Sequence, residues 1–108
     1  MSISKDISAK QEKQIRQMIN GVTTPNSGGT RFGGGDILTN KFLVEAKTKT
    51  SESKSFAIKK DWLIKAQEQA FEQGKSYSAL AFRFGPDESD YYVISDELFL
   101  YLINVLED

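Results

Sequence analysis

Apolar positions in this chain recur with two different periods. Over 4–20 they fall every three to four residues, at Ile7, Ile15, Met18 and Ile19, which predicts a helix with that face turned inward. Ser4 or Ser8 would cap its start, with Gln11 as the capping-box partner of Ser8, and Gly21 would close its end. Over 36–38 and 42–47 the pattern shortens to that of strands, and 39–41 supplies the turn of a hairpin. Phe42, Leu43 and Val44 are apolar in succession, as in a strand buried on both faces; beyond them Val44 and Ala46 share one face, Glu45 and Lys47 the other. A short third strand is expected over 55–58, then a second helix over 59–73 with Trp62, Leu63, Ala66, Ala70 and Phe71 as its stripe and Gly74 beyond its end. Strands over 76–84 and 91–95 form a hairpin about the turn 85–90, and Ser95 caps a last helix running to about Glu107, with Asp96 and Glu97 in its first turn. The order is α-β-β-β-α-β-β-α, an α/β fold with a central mixed sheet flanked by helices.

The last helix has no polar face over most of its length: Leu98, Phe99, Leu100, Tyr101, Leu102, Ile103, Val105 and Leu106 leave little else. A helix apolar all round must be covered all round, and one small sheet cannot do that. Residues 95–108 are therefore expected at a subunit interface, the alternative being a deep groove of the same domain. Residues 22–35 hold five of the eight glycines and read as a loop. Its backbone amides, with Ser27, Thr30 and Arg31, could approach a phosphate, though the stretch has neither the Walker ending nor a dinucleotide fingerprint, and a flexible linker reads it equally well.

A chain of 108 residues makes one domain. The absence of cysteine and histidine excludes thiolate or imidazole zinc sites, disulfides and any imidazole base. Hydrolytic chemistry would have to run on carboxylates, lysine, hydroxyls and hard cations. No signal-peptide run or membrane-length apolar stretch is present, so an intracellular, cytoplasmic protein is expected. The net charge of −1 conceals an uneven distribution: residues 1–65 hold 12 Lys/Arg against 6 Asp/Glu, and residues 66–108 hold 2 against 9. A basic face toward phosphate is compatible with that division, as is an ordinary solvated surface. Lys59, Lys60 and Lys65 cluster at the start of the second helix, where a positive end disfavours cations unless an anion is near.

The candidate chemistry lies in the first hairpin. Pairing its strands brings Asp36 within a residue or two of Glu45, and two carboxylates that close either share a proton or hold a cation. Mg²⁺ or Mn²⁺ suits such hard oxygen ligands, and Lys47, on the face of Glu45, could orient a water or neutralise charge on phosphorus. The competing reading is a cross-strand ion cluster worth about 0–1 kcal/mol. Glu12 falls at the edge of the first helix's apolar stripe; spacing alone favours an ion pair there with Arg16 over a role in a site.

Glu12, Ser27-Gly28, Gly35-Asp36-Ile37, the run FLVEAKT over 42–48, SFAI over 55–58, and the helix bearing Lys65 and Ala70 together resemble the PD-(D/E)XK nuclease superfamily. Within it they are most similar to archaeal-type Holliday junction resolvases and related small phage endonucleases, over roughly residues 9–84. The resemblance implies a restriction-endonuclease-like core across 1–108 and a divalent-metal-dependent endodeoxyribonuclease. Asp36, Glu45 and the Ala46 carbonyl would bind Mg²⁺ or Mn²⁺, with Glu12 completing the site. Lys47 would assist the attacking water and Ser27 would stand near the scissile phosphate. DNA contacts would come from Ser27, Thr30, Arg31, Lys49, Lys59, Lys60 and Lys65. The implied partner is branched or four-way-junction DNA cut by a homodimer. A nicking or restriction-like phage endonuclease of other specificity, or a non-catalytic DNA-binding or assembly module on the same fold, stands as the alternative.

Overall fold

The structure is a computed structural model that describes residues 3–23 and 36–108, with side chains from Asp6 onward. Eight elements follow one another: α1 (Ile3–Ile19), β1 (Val22–Thr23), β2 (Ile37–Leu38), β3 (Phe42–Thr48), α2 (Lys60–Glu72), β4 (Tyr77–Arg83), β5 (Tyr91–Val93) and α3 (Asp96–Glu107). The five strands form one mixed sheet in the order β1-β2-β3-β4-β5, so sequence order is also spatial order. The pairs β1–β2, β2–β3 and β4–β5 are antiparallel. The pair β3–β4 is parallel and needs a crossover, which α2 supplies.

The period of two along β3 and β4 decides which helix meets which face. Ile37, Val44, Ala79 and Ala81 turn to one side and bury Ile15 of α1; Leu38 and Leu43 turn to the other and bury Ala66 and Ala70 of α2. Alanines at 79 and 81 allow α1 to lie close to the sheet, just as Ala66 and Ala70 do for α2.

The element order is the expected one, but one strand stands in place of another. Residues 55–58 form no strand; Val22–Thr23, read as loop, supplies the third strand before α2 by pairing with β2. Both edges of β3 are taken, by β2 and β4, so 55–58 finds no free edge there. The segment instead runs over the end of β4: Ser53 donates its N–H to the Phe84 carbonyl at 2.9 Å, and Phe56 packs on Phe82.

The end of α1 is also arranged differently. Asn20, not Gly21, takes the left-handed conformation at φ 56°, and the Gly21 N–H reaches back to the Arg16 carbonyl at 2.9 Å, a Schellman closure. Gly21 is needed for space: a Cβ there would stand 2.9 Å from both Ile37 Cγ2 and the Leu38 carbonyl oxygen. Neither Ser4 nor Ser8 caps α1, since the helix already begins at Ile3. Gly74 does close α2, at φ 71°. The outer members of both helical stripes miss the core, Met18 being 76% and Phe71 85% exposed.

Ser95 caps α3 as its sequence predicts, accepting from the Leu98 N–H at 3.0 Å. Beyond Leu98 the helix lies in no groove among the described residues: Phe99, Leu100, Tyr101, Leu102, Ile103, Val105 and Leu106 are all exposed. Among the described residues no helix is long and apolar enough to cross a membrane.

Candidate active site

The hairpin register fixes what its loop length left open. Ile37 stands opposite Val44 and Leu38 opposite Leu43, so one further step along the ladder puts Asp36 opposite Glu45. The turn that sets this register is pinned by Thr39, whose N–H donates to the Phe42 carbonyl and whose hydroxyl accepts from the Phe42 N–H, each at 3.0 Å. By the alternation of β3, Asp36, Glu45 and Lys47 all lie on the α2 side of the sheet. They cluster toward the carboxyl ends of the parallel strands β3 and β4, the end at which open α/β sheets bind ligands.

The two acids strain one another. Burial first, then the Glu45 charge, push the Asp36 carboxyl up to about 6, against the downward pull of Lys47. Lys47 Nζ lies 3.4 Å from Glu45 Oε2 and so offsets part of the excess negative charge, and the same ammonium stands 4.6 Å above the Trp62 ring. A half-buried carboxyl that keeps its proton to about pH 6 and faces a second set of hard oxygen donors fits a divalent cation. Asp36 and Glu45 would hold Mg²⁺ or Mn²⁺ there. No group of three His, Cys, Asp or Glu converges among the described residues; Mg²⁺ commonly takes one or two carboxylates together with substrate phosphate.

Glu12 is buried on α1 at 8% exposure. Its neighbour Gln11 donates from Nε2 to the Lys47 carbonyl at 2.9 Å, so this turn of α1 lies level with the acid pair, against the opposite face of the sheet. The rest of the expected set divides by element. Ala46 belongs to β3, partly buried between Glu45 and Lys47. Lys49 and Lys59 lie close by, Nζ of Lys49 being 5.5 Å from the Phe56 ring and Nζ of Lys59 5.8 Å from Trp62. Lys60 and Lys65 are exposed along α2. Ser27, Thr30 and Arg31 lie outside the described residues.

No family model, curated protein or solved structure gives a significant match to this chain. Its chemistry therefore has to be read from its own side chains.

Two groupings went unread in the sequence. The first is a buried polar network on the α1 side. Arg83 meets Asp90 through two parallel bonds of 2.8 Å, Nε to Oδ1 and Nη2 to Oδ2, while Gln11 donates to the same Oδ1 at 2.9 Å. Both side chains are about 95% buried. An arginine on the opposite face of β4 from Phe82 and Phe84, with an aspartate where the hairpin returns, was the available signal. The second is an aromatic floor on the α2 side. Lys47 stands beside Phe82 in the parallel register, Phe82 beside Tyr91 in the antiparallel one, Phe56 and Phe84 pack around Phe82, and Trp62 meets Phe56. A single row of side chains thus leads from the acids through Lys47 into aromatic rings.

Proposed function

We propose that this chain is a divalent-metal-dependent endonuclease of PD-(D/E)XK type that hydrolyses DNA phosphodiester bonds, acting as a homodimer on branched DNA such as a four-way junction. The observation that carries the reading is the placement of Asp36 opposite Glu45, with Lys47 two residues on along the same face. Nothing in the packing of the hairpin needs two acids there: the Leu38–Leu43 and Ile37–Val44 pairs already supply its contacts with both helices.

Bound at this pair, Mg²⁺ or Mn²⁺ would neutralise charge at the scissile phosphate and polarise the attacking water. Asp36 and Glu45, set opposite each other by the hairpin register, would be the residues that hold it. The Lys47 ammonium, drawn to Glu45 at 3.4 Å, is placed to orient the water or to meet the charge that builds on phosphorus. Lys49, Lys59, Lys60 and Lys65 would hold the DNA backbone through charge, a contribution that weakens as salt rises. Glu12, on the α1 side of the sheet, stands across the sheet from this pair and takes no part in the reading.

The homodimer rests on α3. Seven apolar side chains along it are exposed, from 37% at Ile103 to 78% at Leu106, and a contiguous apolar face of that extent marks a protein contact. A second copy of the chain brings the same face and would cover it. This feature also favours a second reading, an assembly module without catalysis.

Incubating the full chain with Mg²⁺, and separately Mn²⁺, and labelled four-way junction, flap, duplex and single-stranded DNA separates the readings. Cleavage of at least one substrate, abolished by chelation, is expected. Intact DNA in every lane with both metals would leave the assembly reading.

A further inference from the structure

The aromatic row beside the acid pair has a feature that a hydrophobic cluster does not require. The core on the α2 side is completed by Leu38, Leu43, Ala66 and Ala70. Trp62 lies at its margin, partly exposed, and two lysines approach its ring, Nζ of Lys47 at 4.6 Å and Nζ of Lys59 at 5.8 Å. Phe56 meets it edge-on with centroids 6.3 Å apart, and Lys49 reaches over Phe56 at 5.5 Å. Two partly exposed rings are thus attended by three ammonium groups, next to two carboxylates suited to a metal.

From this juxtaposition we propose that Trp62, backed by Phe56, is a stacking platform for an unpaired nucleobase of single-stranded DNA, and that Lys47, Lys49 and Lys59 take the phosphates on either side of that base. The proposal rests on the nuclease reading of the neighbouring acids for its biological sense, and it names the feature of the DNA that the site selects: a strand with a base out of the duplex stack.

Magnitudes favour the base over the lysines as the occupant of the ring. A cation over an aromatic face at an exposed site contributes about 0.5–1 kcal/mol, while stacking of a base on an aromatic side chain contributes about 1–3 kcal/mol. A base therefore displaces the ammonium groups, and the displaced lysines, on flexible stems, can reach the phosphates of the same nucleotide and its neighbours. Base pairs inside a continuous duplex keep their faces stacked on each other and offer the ring nothing. Only charge attraction to the lysines remains for duplex DNA, and it is indifferent to pairing.

Trp62 is the one tryptophan of the chain, so its emission reports on this ring alone. The experiment titrates the full chain, without divalent metal and with chelator present, with a short oligothymidylate and with a blunt duplex of two fully complementary strands of equal total nucleotide count. Fluorescence anisotropy of the labelled DNAs follows binding in parallel. The expected result is Trp62 quenching that saturates with oligothymidylate binding and is much weaker with duplex. Trp62→Ala should raise the Kd for oligothymidylate about 5- to 150-fold, the span of one stacked base, and change duplex binding less than twofold. Trp62→Phe, which keeps a ring and guards against misfolding, should stay within a few-fold of the parent. Lys59→Ala should weaken both DNAs alike. No binding of oligothymidylate, binding without quenching, or an equal loss for both DNAs in Trp62→Ala would overturn the platform. Because no cleavage is read, an inactive protein that quenches and discriminates would sink the nuclease reading while leaving the platform standing.

Discussion

At the scale of single residues, the molecule keeps two ionic arrangements of opposite character on the two faces of one sheet. Arg83 and Asp90 are matched charge for charge and deeply buried, and Gln11 ties them to α1. Breaking such a pair from one side leaves a lone buried cation, which costs about 3–5 kcal/mol. Asp90→Ala is therefore expected to lose that much stability in urea denaturation at neutral pH, and Asp90→Leu combined with Arg83→Met to lose distinctly less. Asp36 and Glu45, by contrast, are matched in sign. Asp36 binds its proton more tightly in the folded chain, with a pKa of about 6 against 3.8. Its ionisation therefore leaves stability intact below pH 3.8 and lowers it as the pH rises through about 6. Full burial of a shift that size would amount to about 3 kcal/mol, and solvent screening of a half-exposed group reduces it to about 1 kcal/mol. Without divalent metal, Asp36→Asn should raise stability by about that amount at pH 7.5 and by little at pH 4. An equal gain at both pH values, or a loss at pH 7.5, would contradict this account of the site.

At the scale of elements, the long periodic segments were legible and the short ones were not. The spans of α1, α2, α3, β3 and β4 follow from apolar spacing, and both the Ser95 cap and the Gly74 closure stand where the residue types put them. Val22–Thr23 is too short to show a period, and only its pairing with β2 makes it a strand. Residues 55–58 have strand-like composition, but with both edges of β3 occupied the aromatic ring of Phe56 found Phe82 instead. Periodicity likewise says that Met18 and Phe71 lie near the inward stripe, not how far a five-stranded sheet extends beneath them. For α3, sequence alone offered two forms of cover, and among the described residues no intramolecular groove receives it beyond Leu98. If a second copy covers it, light scattering should give the native chain twice its 12.1 kDa mass, and Leu100→Lys should return it to monomer. A monomeric native protein would refute the homodimer.

At the scale of the whole molecule, the fold brings Asp36, Glu45, Lys47, Lys59 and Trp62 to one face of the sheet. The antiparallel hairpin carries Asp36 to Glu45, the parallel crossover aligns Lys47 with Phe82, and α2 brings Lys59 and Trp62 over the same face. Glu45 and Lys47 were legible as face-mates because alternation along β3 sets them on one side whatever the register, whereas the position of Asp36 opposite Glu45 needed the register itself. The aromatic floor was hidden because it depends on the pairing of β3 with β4, contacts between residues 35 positions apart in the chain. The division of charge between the two halves of the sequence has a partial counterpart in space: Lys47 of β3, Lys49 just beyond it and Lys59 before α2 lie beside the acid pair, while α3 carries acids at both ends. The claim on which the rest depends is that the Asp36–Glu45 pair drives phosphodiester hydrolysis. It is tested most directly by incubating the native chain and Glu45→Gln side by side with Mg²⁺ and a labelled four-way junction. The account predicts cleavage by the native chain and none by Glu45→Gln at equal DNA binding; equal cleavage by both would contradict it.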